Sequence, residues 1–166
     1  SSKSYLDNNN LNVPHCNFDD LIANNDGIIV LSGTINCLVG KLFNKGLFEE
    51  ADNIYKLLSE TFNDNFYIEI QRHNDLNEKS FENHNLNLSK KFGLPIIATQ
   101  EVYYLDKSMH DAHEALICIG TKTYLNDKNR ISLSNQHFFK SSKEMHELFS
   151  DLPEALENNY NLPFRC

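Results

Sequence analysis

The sequence has 166 residues, enough for one domain of ordinary size around a single hydrophobic core. Hydrophobic residues make up 40% of it, which excludes a disordered chain, and no apolar run reaches the roughly 18–20 residues of a membrane helix. The net charge of −8 argues against a surface that grips phosphate backbones, because such surfaces carry excess lysine and arginine. No signal peptide is visible, so we expect a cytoplasmic protein.

The chain ends and the cysteines give two further expectations. The sequence opens on a polar stretch instead of a methionine and stops at a cysteine, so we interpret it as a fragment of a longer protein. The cysteines are far apart and form no short paired spacing, so we predict free thiols and neither disulfides nor a zinc cluster. They are Cys16, Cys37, Cys118 and Cys166.

The chain is predicted to begin with a loop, a short helix and a buried strand. Residues 1–16 have a loop composition, and a helix over residues 18–25 follows with Asn17 as its N-cap. The apolar run between Gly27 and Gly33 is typical of a strand buried on both faces in a parallel sheet.

Two helices and a second strand come next. We predict helices over residues 35–44 and 47–62, with Gly46 between them, and a strand over the aromatic and β-branched run 66–71. On the longer helix, apolar residues recur at steps of three and four, which marks a face that packs in the core. These residues are Leu47, Ala51, Ile54, Leu58 and Phe62.

A third helix–strand pair and another helix follow. A helix over residues 78–92 ends at Gly93, residues 95–99 predict a third buried strand, and residues 107–119 predict a helix. In each helix, mostly apolar residues recur at helical spacing and so form one side. These residues are Phe81, Asn85, Leu88 and Phe92 in the first helix, and Met109, Ala112, Leu116 and Ile119 in the second.

The last part of the chain is predicted to be irregular and then helical. Residues 120–141 show no periodicity beyond a possible short strand at residues 138–139. Residues 141–144 form a capping-box pattern that opens a helix to about residue 149, and Pro153 favours a final helix to about residue 160. The order β-α-α-β-α-β-α predicts parallel strands joined by helical crossovers.

Polar residues follow each predicted strand, where parallel α/β folds place their functional groups. These are residues 32–34, 71–74 and 99–104. His73 and Glu101 could act as metal ligands or as an acid/base pair. The alternative is that His73 and Arg72 are loop residues whose hydrogen bonds are satisfied within the protein.

A second candidate lies at the start of the helix over residues 107–119. His110 and His113 share a helix face at a spacing compatible with metal binding. Asp111 has a simpler explanation, since an acidic side chain is favoured near a helix N-terminus by the helix dipole. Neither a phosphate-binding glycine loop nor the G-x-S-x-G motif of hydrolases occurs.

Several segments, in this order, resemble the PHP domain of bacterial DNA polymerase III alpha subunits. They are residues 31–33 (LSG), 66–73 (FYIEIQRH), 94–99 (LPIIAT), 111–119 (DAHEALICI), 140–145 (KSSKEM) and 148–158 (LFSDLPEALEN). Each segment alone is a weak signal, but their order is specific, and the resemblance covers nearly the whole chain.

The resemblance implies an α/β fold, the later part of a distorted, TIM-barrel-like β/α barrel of seven strands with a helical C-terminal extension. Residues 1–120 would be the second half of the barrel. Residues 121–166 would be the end of the PHP domain and a helical connection toward the polymerase palm. The polymerase carboxylates and their Mg²⁺ would belong to that palm domain, outside this sequence.

The resemblance also implies what the PHP site has lost. Metal-binding relatives carry a cysteine where this chain has Thr34, and an Asp-x-His pair where it has Glu101 and Tyr103. Threonine and tyrosine are poor substitutes for thiolate and imidazole. We therefore expect a scaffold with no catalytic, metal-binding or cofactor-binding residues, which docks the proofreading exonuclease subunit and other replisome components. DNA would be bound mainly by the rest of the polymerase.

Two alternatives stay open at this point. The first is a metal-dependent PHP phosphoesterase or built-in 3'-5' exonuclease, which intact Cys and His at positions 34 and 103 would have favoured. The second is an unrelated α/β binding or structural protein, which the sequence on either side of the fragment would distinguish.

Overall fold

A parallel β-sheet with helical crossovers organises the chain, as the order of predicted elements indicated. The computed structural model describes residues 17–166, so the predicted loop over residues 1–16 and Cys16 lie outside the described residues. In the described part, the strands are β1 (Val30–Leu31), β2 (Phe66–Ile70) and β3 (Ile96–Ala98), adjacent in that order. Val30 pairs with Phe66, and Ile68 pairs with Ile96, both in parallel register.

Helices connect and follow the strands. They are α1 (Phe18–Ala23), α2 (Leu38–Asn44), α3 (Phe48–Phe62), α4 (Glu78–Phe92), α5 (His110–Thr121), α6 (Ser142–Leu148) and α7 (Pro153–Asn161). Short 3-10 helices cover Asn63–Asn65, Lys107–Met109 and Leu162–Arg165. In residues 17–166, no helix combines the length and apolar character needed to cross a lipid bilayer.

The first strand is much shorter than the sequence predicted. Only Val30 and Leu31 pair as a strand. Directly after them, the Ser32 side chain accepts a hydrogen bond from β2 in place of a backbone carbonyl. The Glu69 backbone N–H donates to Ser32 Oγ at 3.0 Å, while the Ser32 N–H still donates to the Tyr67 carbonyl at 2.9 Å. The apolar run correctly predicted a strand of a parallel sheet, but not where the ladder stops, and Val30 and Leu31 are half-buried instead of buried on both faces.

Local signals at two helix ends are confirmed. Gly93 ends α4 with a φ of 66°, a left-handed conformation that residues with a Cβ rarely adopt. At the start of α6, the Ser141 hydroxyl accepts the Glu144 N–H, and the Glu144 carboxylate accepts the Ser141 N–H at 2.8 Å. This is the reciprocal capping box that the sequence predicted.

The hydrophobic core lies between the sheet, α3, α4 and the C-terminal helices. The predicted core residues Leu58 and Phe62 are buried, whereas Leu47 at the start of α3 and Phe92 at the end of α4 are exposed. Asn85, an unusual core residue, is buried because its Oδ1 accepts a hydrogen bond from the Tyr55 hydroxyl at 2.8 Å.

Helix α7 packs onto the sheet at β3, and α6 packs against the hydrophobic core. Phe149, which follows α6, and Ala155 of α7 are fully buried. The side-chain amide of Asn158 donates to the Ile96 carbonyl at 2.8 Å and so occupies a backbone acceptor of β3. Helix α7 therefore shields part of β3.

Helix α5 exposes the apolar side that an ordinary surface helix buries. Its apolar side, formed by Met109, Ala112, Leu116 and Ile119, is exposed. Its buried residues are Glu114 and Cys118. Among the described residues, none between 99 and 144 belongs to the main core cluster.

Candidate functional site

The carboxyl-terminal edge of the sheet brings the predicted polar segments together. The Thr99 N–H donates to the Ile70 carbonyl at 3.1 Å, which places the segments after β2 and β3 side by side. Gln71 donates to the Thr99 hydroxyl at 2.9 Å. A small cavity of about 20 Å³, room for one water molecule, lies at this edge and is lined in part by Thr34, Asp75 and Glu101.

His73 is buried and fully hydrogen-bonded. Its Nε2 lies 3.1 Å from the Glu101 backbone N–H, which can only donate, so Nε2 is the acceptor and the ring proton is on Nδ1. Nδ1 then donates to Glu78 Oε1 at 3.2 Å, and Glu78 Oε2 accepts the backbone N–H groups of His73 and Asn74, each at 2.7 Å. These contacts define a neutral imidazole held by one carboxylate.

His137 stacks on His73, although it lies 64 residues further along the chain. The ring centroids are 4.1 Å apart and the planes differ by 2°. His137 Nδ1 lies 3.2 Å from the Glu101 carbonyl, and Nε2 lies 3.3 Å from an Asp75 carboxylate oxygen. Both neighbours are hydrogen-bond acceptors, so His137 can donate to the Glu101 carbonyl or to the Asp75 carboxylate.

His73, Asp75 and His137 together have the composition of a metal site, since their ligand atoms lie within 4.8 Å of one another. Their geometry is unsuited to it as it stands. The lone pairs of imidazole nitrogens lie in the ring plane, so two parallel stacked rings cannot both point at one ion. Each ring nitrogen also has a protein partner. Hydrogen bonds within the protein account for the cluster.

The three positions that the resemblance singled out lie near this edge but do not form a ligand set. The Thr34 hydroxyl accepts the Asn36 N–H at 3.2 Å within its own turn. The Tyr103 hydroxyl donates to Glu101 at 2.7 Å, and this hydrogen bond, with some burial, raises the pKa of Tyr103 to about 12. A threonine hydroxyl and a protonated phenol do not fit the thiolate and imidazole expected of the family's metal centre.

Arg72 is a structural cross-link. Its guanidinium donates to both carboxylate oxygens of Asp151 at 2.6 and 2.8 Å, to Glu82, and to the Leu148 carbonyl at 2.6 Å. It also lies 4.8 Å above the centre of the Phe149 ring. The pKa of Asp151 is lowered by the hydrogen bond from Arg72. The hypothesis of a hydrogen-bonded loop residue therefore describes Arg72 and His73 well.

His110 and His113 take separate partners and do not form a joint site. His110 Nε2 lies 3.0 Å from the Leu133 carbonyl, and this contact, with the Asp111 carboxylate, raises the pKa of His110. His113 packs against the rings of Tyr103 and Tyr104, with centroids 5.4 and 5.3 Å away. The two histidines lie near each other on the helix, as their spacing predicted, but their side chains share no partner.

Sequence reasoning missed the buried network around Glu114. Its carboxylate accepts hydrogen bonds from Ser132 Oγ at 2.7 Å and from the Leu133 N–H at 3.1 Å, and it pairs with Arg130. Burial opposes ionisation, but these hydrogen bonds outweigh it and lower the pKa of Glu114 to about 2. The partners come from the irregular segment 120–141, which carries no periodic signal.

Known proteins match the chain along its full length. A family model described as the PHP domain matches residues 1–73. DNA polymerase III subunit alpha from Rickettsia bellii is 37% identical over all 166 residues, and the protein of that name from Caulobacter vibrioides is 34% identical over the same length. The subunit alpha from Borreliella burgdorferi is 33% identical over 92% of the chain.

The chain spans only a small part of these relatives. It covers 14% of the Rickettsia bellii and Caulobacter vibrioides proteins and 13% of the Borreliella burgdorferi protein. The family match at the start and the identity along the whole length agree with the resemblance of the sequence segments. The chain is thus a segment of the DNA polymerase III alpha subunit family that includes part of the PHP domain.

Proposed function

We propose that this chain is a scaffold segment of a replicative DNA-directed DNA polymerase. The observation that carries the proposal is the identity along the whole chain to several DNA polymerase III alpha subunits. The complete protein would act in the cytoplasm in chromosomal DNA replication. Its nucleotidyl transfer would use Mg²⁺ in a palm domain outside these residues, because that chemistry requires paired carboxylates and metal ions.

The segment would form the later part of a seven-stranded β/α barrel. Parallel pairing of β1, β2 and β3 with helical crossovers supports this architecture. In this proposal, residues 1–120 are the second half of the barrel. Residues 121–166 complete the PHP domain and lead toward the palm, and α7 fixes their position by packing on β3.

The PHP site of this protein would be degenerate and would bind no metal or other cofactor. Thr34, Glu101 and Tyr103 support the proposal, because their side chains are occupied by local hydrogen bonds and offer only one good ligand. No residue of this segment would then act in catalysis. The hydrogen-bonded edge around His73 would serve to hold the loops after the strands rigid.

The partners would be the other domains of the polymerase chain and, through this scaffold, the proofreading exonuclease subunit and replisome components. A role as a protein scaffold agrees with the net charge of −8, which disfavours direct binding of DNA by this segment.

The experiment uses the complete polymerase and its Glu101→Gln variant, with Glu154→Gln as a matched control on the exposed start of α7. Primer extension with Mg²⁺ is measured beside hydrolysis of p-nitrophenyl phosphate and of 3'-labelled DNA. We expect all three proteins to extend primers equally and none to hydrolyse phosphoesters. Hydrolysis that Glu101→Gln abolishes and Glu154→Gln preserves would favour the phosphoesterase or built-in exonuclease instead.

A further inference from the structure

Residues 130–137 lie over the carboxyl-terminal edge of the sheet and form neither helix nor strand. His137 stacks on His73, with ring centroids 4.1 Å apart, and the Ser134 hydroxyl donates to the His73 backbone carbonyl. His73 is only 1% exposed, so these two residues help to close the edge above it. We call residues 130–137 the strap.

Polar contacts attach three consecutive residues of the strap to the rest of the protein. The Glu114 carboxylate on α5 accepts hydrogen bonds from Ser132 Oγ at 2.7 Å and from the Leu133 N–H at 3.1 Å. The Tyr104 hydroxyl donates to the Ser134 carbonyl at 3.0 Å. We call Glu114 and Tyr104 the latch, because both hold the strap from outside it.

Apolar burial contributes little to the attachment of the strap. Ile131 is 62% exposed, His137 is the only residue of the strap that is buried, and none of residues 130–137 belongs to the main core cluster. Hydrogen bonds lost on opening are replaced by hydrogen bonds to water, so they oppose opening less than buried apolar surface does. Segments with few buried apolar contacts open locally while the core stays folded.

The latch and the cover over His73 meet at one residue. The carbonyl of Ser134 accepts the latch hydrogen bond from Tyr104, and its hydroxyl donates to His73. The same hydroxyl oxygen accepts the Gln136 N–H at 3.2 Å, which orders the turn that leads to His137. A displacement of Ser134 therefore breaks contacts of the latch and of the cover together.

We propose that the strap opens as one unit when the latch is released, and that its opening exposes the His73 ring at the sheet edge. Access to this edge is then controlled from α5, through Glu114, and not only by residues that touch His73. The inference rests on the contacts of the strap. It depends neither on the scaffold role of the segment nor on the metal content of the edge.

The test measures how fast diethyl pyrocarbonate, which acylates accessible imidazoles, modifies single histidines in the complete polymerase, with mass spectrometry of the peptides as the readout. In the wild type, His73 and His137 should react far more slowly than His146, which is exposed. In Glu114→Gln, both should react about tenfold faster and by the same factor, because the strap loses a charged acceptor. Different factors for the two histidines, or no change at either, would overturn the proposal.

Glu144→Gln is the matched control, since Glu144 also accepts hydrogen bonds from a serine hydroxyl and a backbone N–H, both of Ser141, at 2.7 and 2.8 Å. It should leave the reactivity of His73 unchanged. Tyr104→Phe removes the other latch contact and should again accelerate both histidines by one factor. Hydrogen exchange of β3 amides monitors the core and should be equal in all variants. Faster β3 exchange in parallel with histidine modification would show global unfolding and contradict a separately opening strap.

Discussion

At the scale of single residues, hydrogen-bond partners decide the role of each buried polar side chain. His73 and Glu101 follow neighbouring strands, so their proximity was predictable from parallel strands ending at one edge. His137 and Glu114 were not predictable. Their partners lie in segments without periodicity, and chain positions alone do not indicate that Asp75 faces His137 or that Ser132 faces Glu114.

Replacing Glu114 by glutamine should destabilise the unit formed by α5 and the loop after it. The Ser132 hydroxyl and the Leu133 N–H would lose a charged acceptor, at a cost of about 1–3 kcal/mol. Hydrogen exchange of α5 amides in the complete polymerase measures this local free energy of opening. Glu154→Gln on the exposed start of α7 is the control and should change the exchange of α5 little.

The effect of Glu114→Gln should also depend on pH. The pKa of Glu114 is lowered from 4.5 to about 2, so its ionised form stabilises the folded state. This contribution is fully present above pH 4.5 and is lost as the pH falls toward 2. The difference between wild type and variant should therefore shrink over that interval. A difference independent of pH would contradict an ionised, hydrogen-bonded Glu114.

Arg72→Lys should weaken the junction between the end of β2 and the C-terminal helices. Lysine keeps the charge but cannot donate to both oxygens of Asp151 while it also bonds Glu82 and the Leu148 carbonyl. We expect a loss of about 1–3 kcal/mol in the opening free energy of α6 and α7, measured by hydrogen exchange. Unchanged exchange would show that charge alone is sufficient.

At the scale of elements, strong local signals predicted helices well. Helix α4 has the predicted bounds because Gly93 supplies a left-handed conformation where the periodic pattern stops. Strand β1 was predicted too long because the Ser32 side chain takes over a ladder position, which no periodic pattern reveals. In α5 the helix was predicted correctly, but its apolar side proved to be exposed, since tertiary contacts decide which side is buried.

The capping box of α6 offers a test at this scale. Ser141→Ala removes the hydroxyl that accepts the Glu144 N–H, which should destabilise α6 by about 0.5–2 kcal/mol. Ser142→Ala, one residue into the helix, is the matched control and should have little effect. Hydrogen exchange of α6 amides in the complete polymerase compares the two. Equal effects of both substitutions would show that the cap contributes nothing specific.

At the scale of the whole molecule, the sequence predicted parallel strands with helical crossovers, and the structure has them. The seven-stranded barrel and the division at residue 120 stay predictions. A barrel of seven strands would need strands beyond the three that residues 17–166 form, and periodicity within these residues does not indicate them.

The isolated 166 residues should self-associate. Among the described residues, β1 pairs with a neighbouring strand on one side only, and exposed strand edges promote aggregation. The exposed apolar side of α5, formed by Met109, Ala112, Leu116 and Ile119, adds apolar surface. Light scattering after size-exclusion chromatography should show species larger than the 19.2 kDa monomer. A monomeric peak with a sharp, cooperative melt would contradict this expectation.

The central claim, a PHP segment that has become a scaffold without a metal, is tested most directly by metal content. Zinc and manganese are quantified by mass spectrometry in the complete polymerase, purified without chelators, and in its Glu101→Gln variant. We predict that both proteins contain far less than one ion of either metal per chain. Stoichiometric zinc or manganese in the wild type that is lost in Glu101→Gln would contradict the claim.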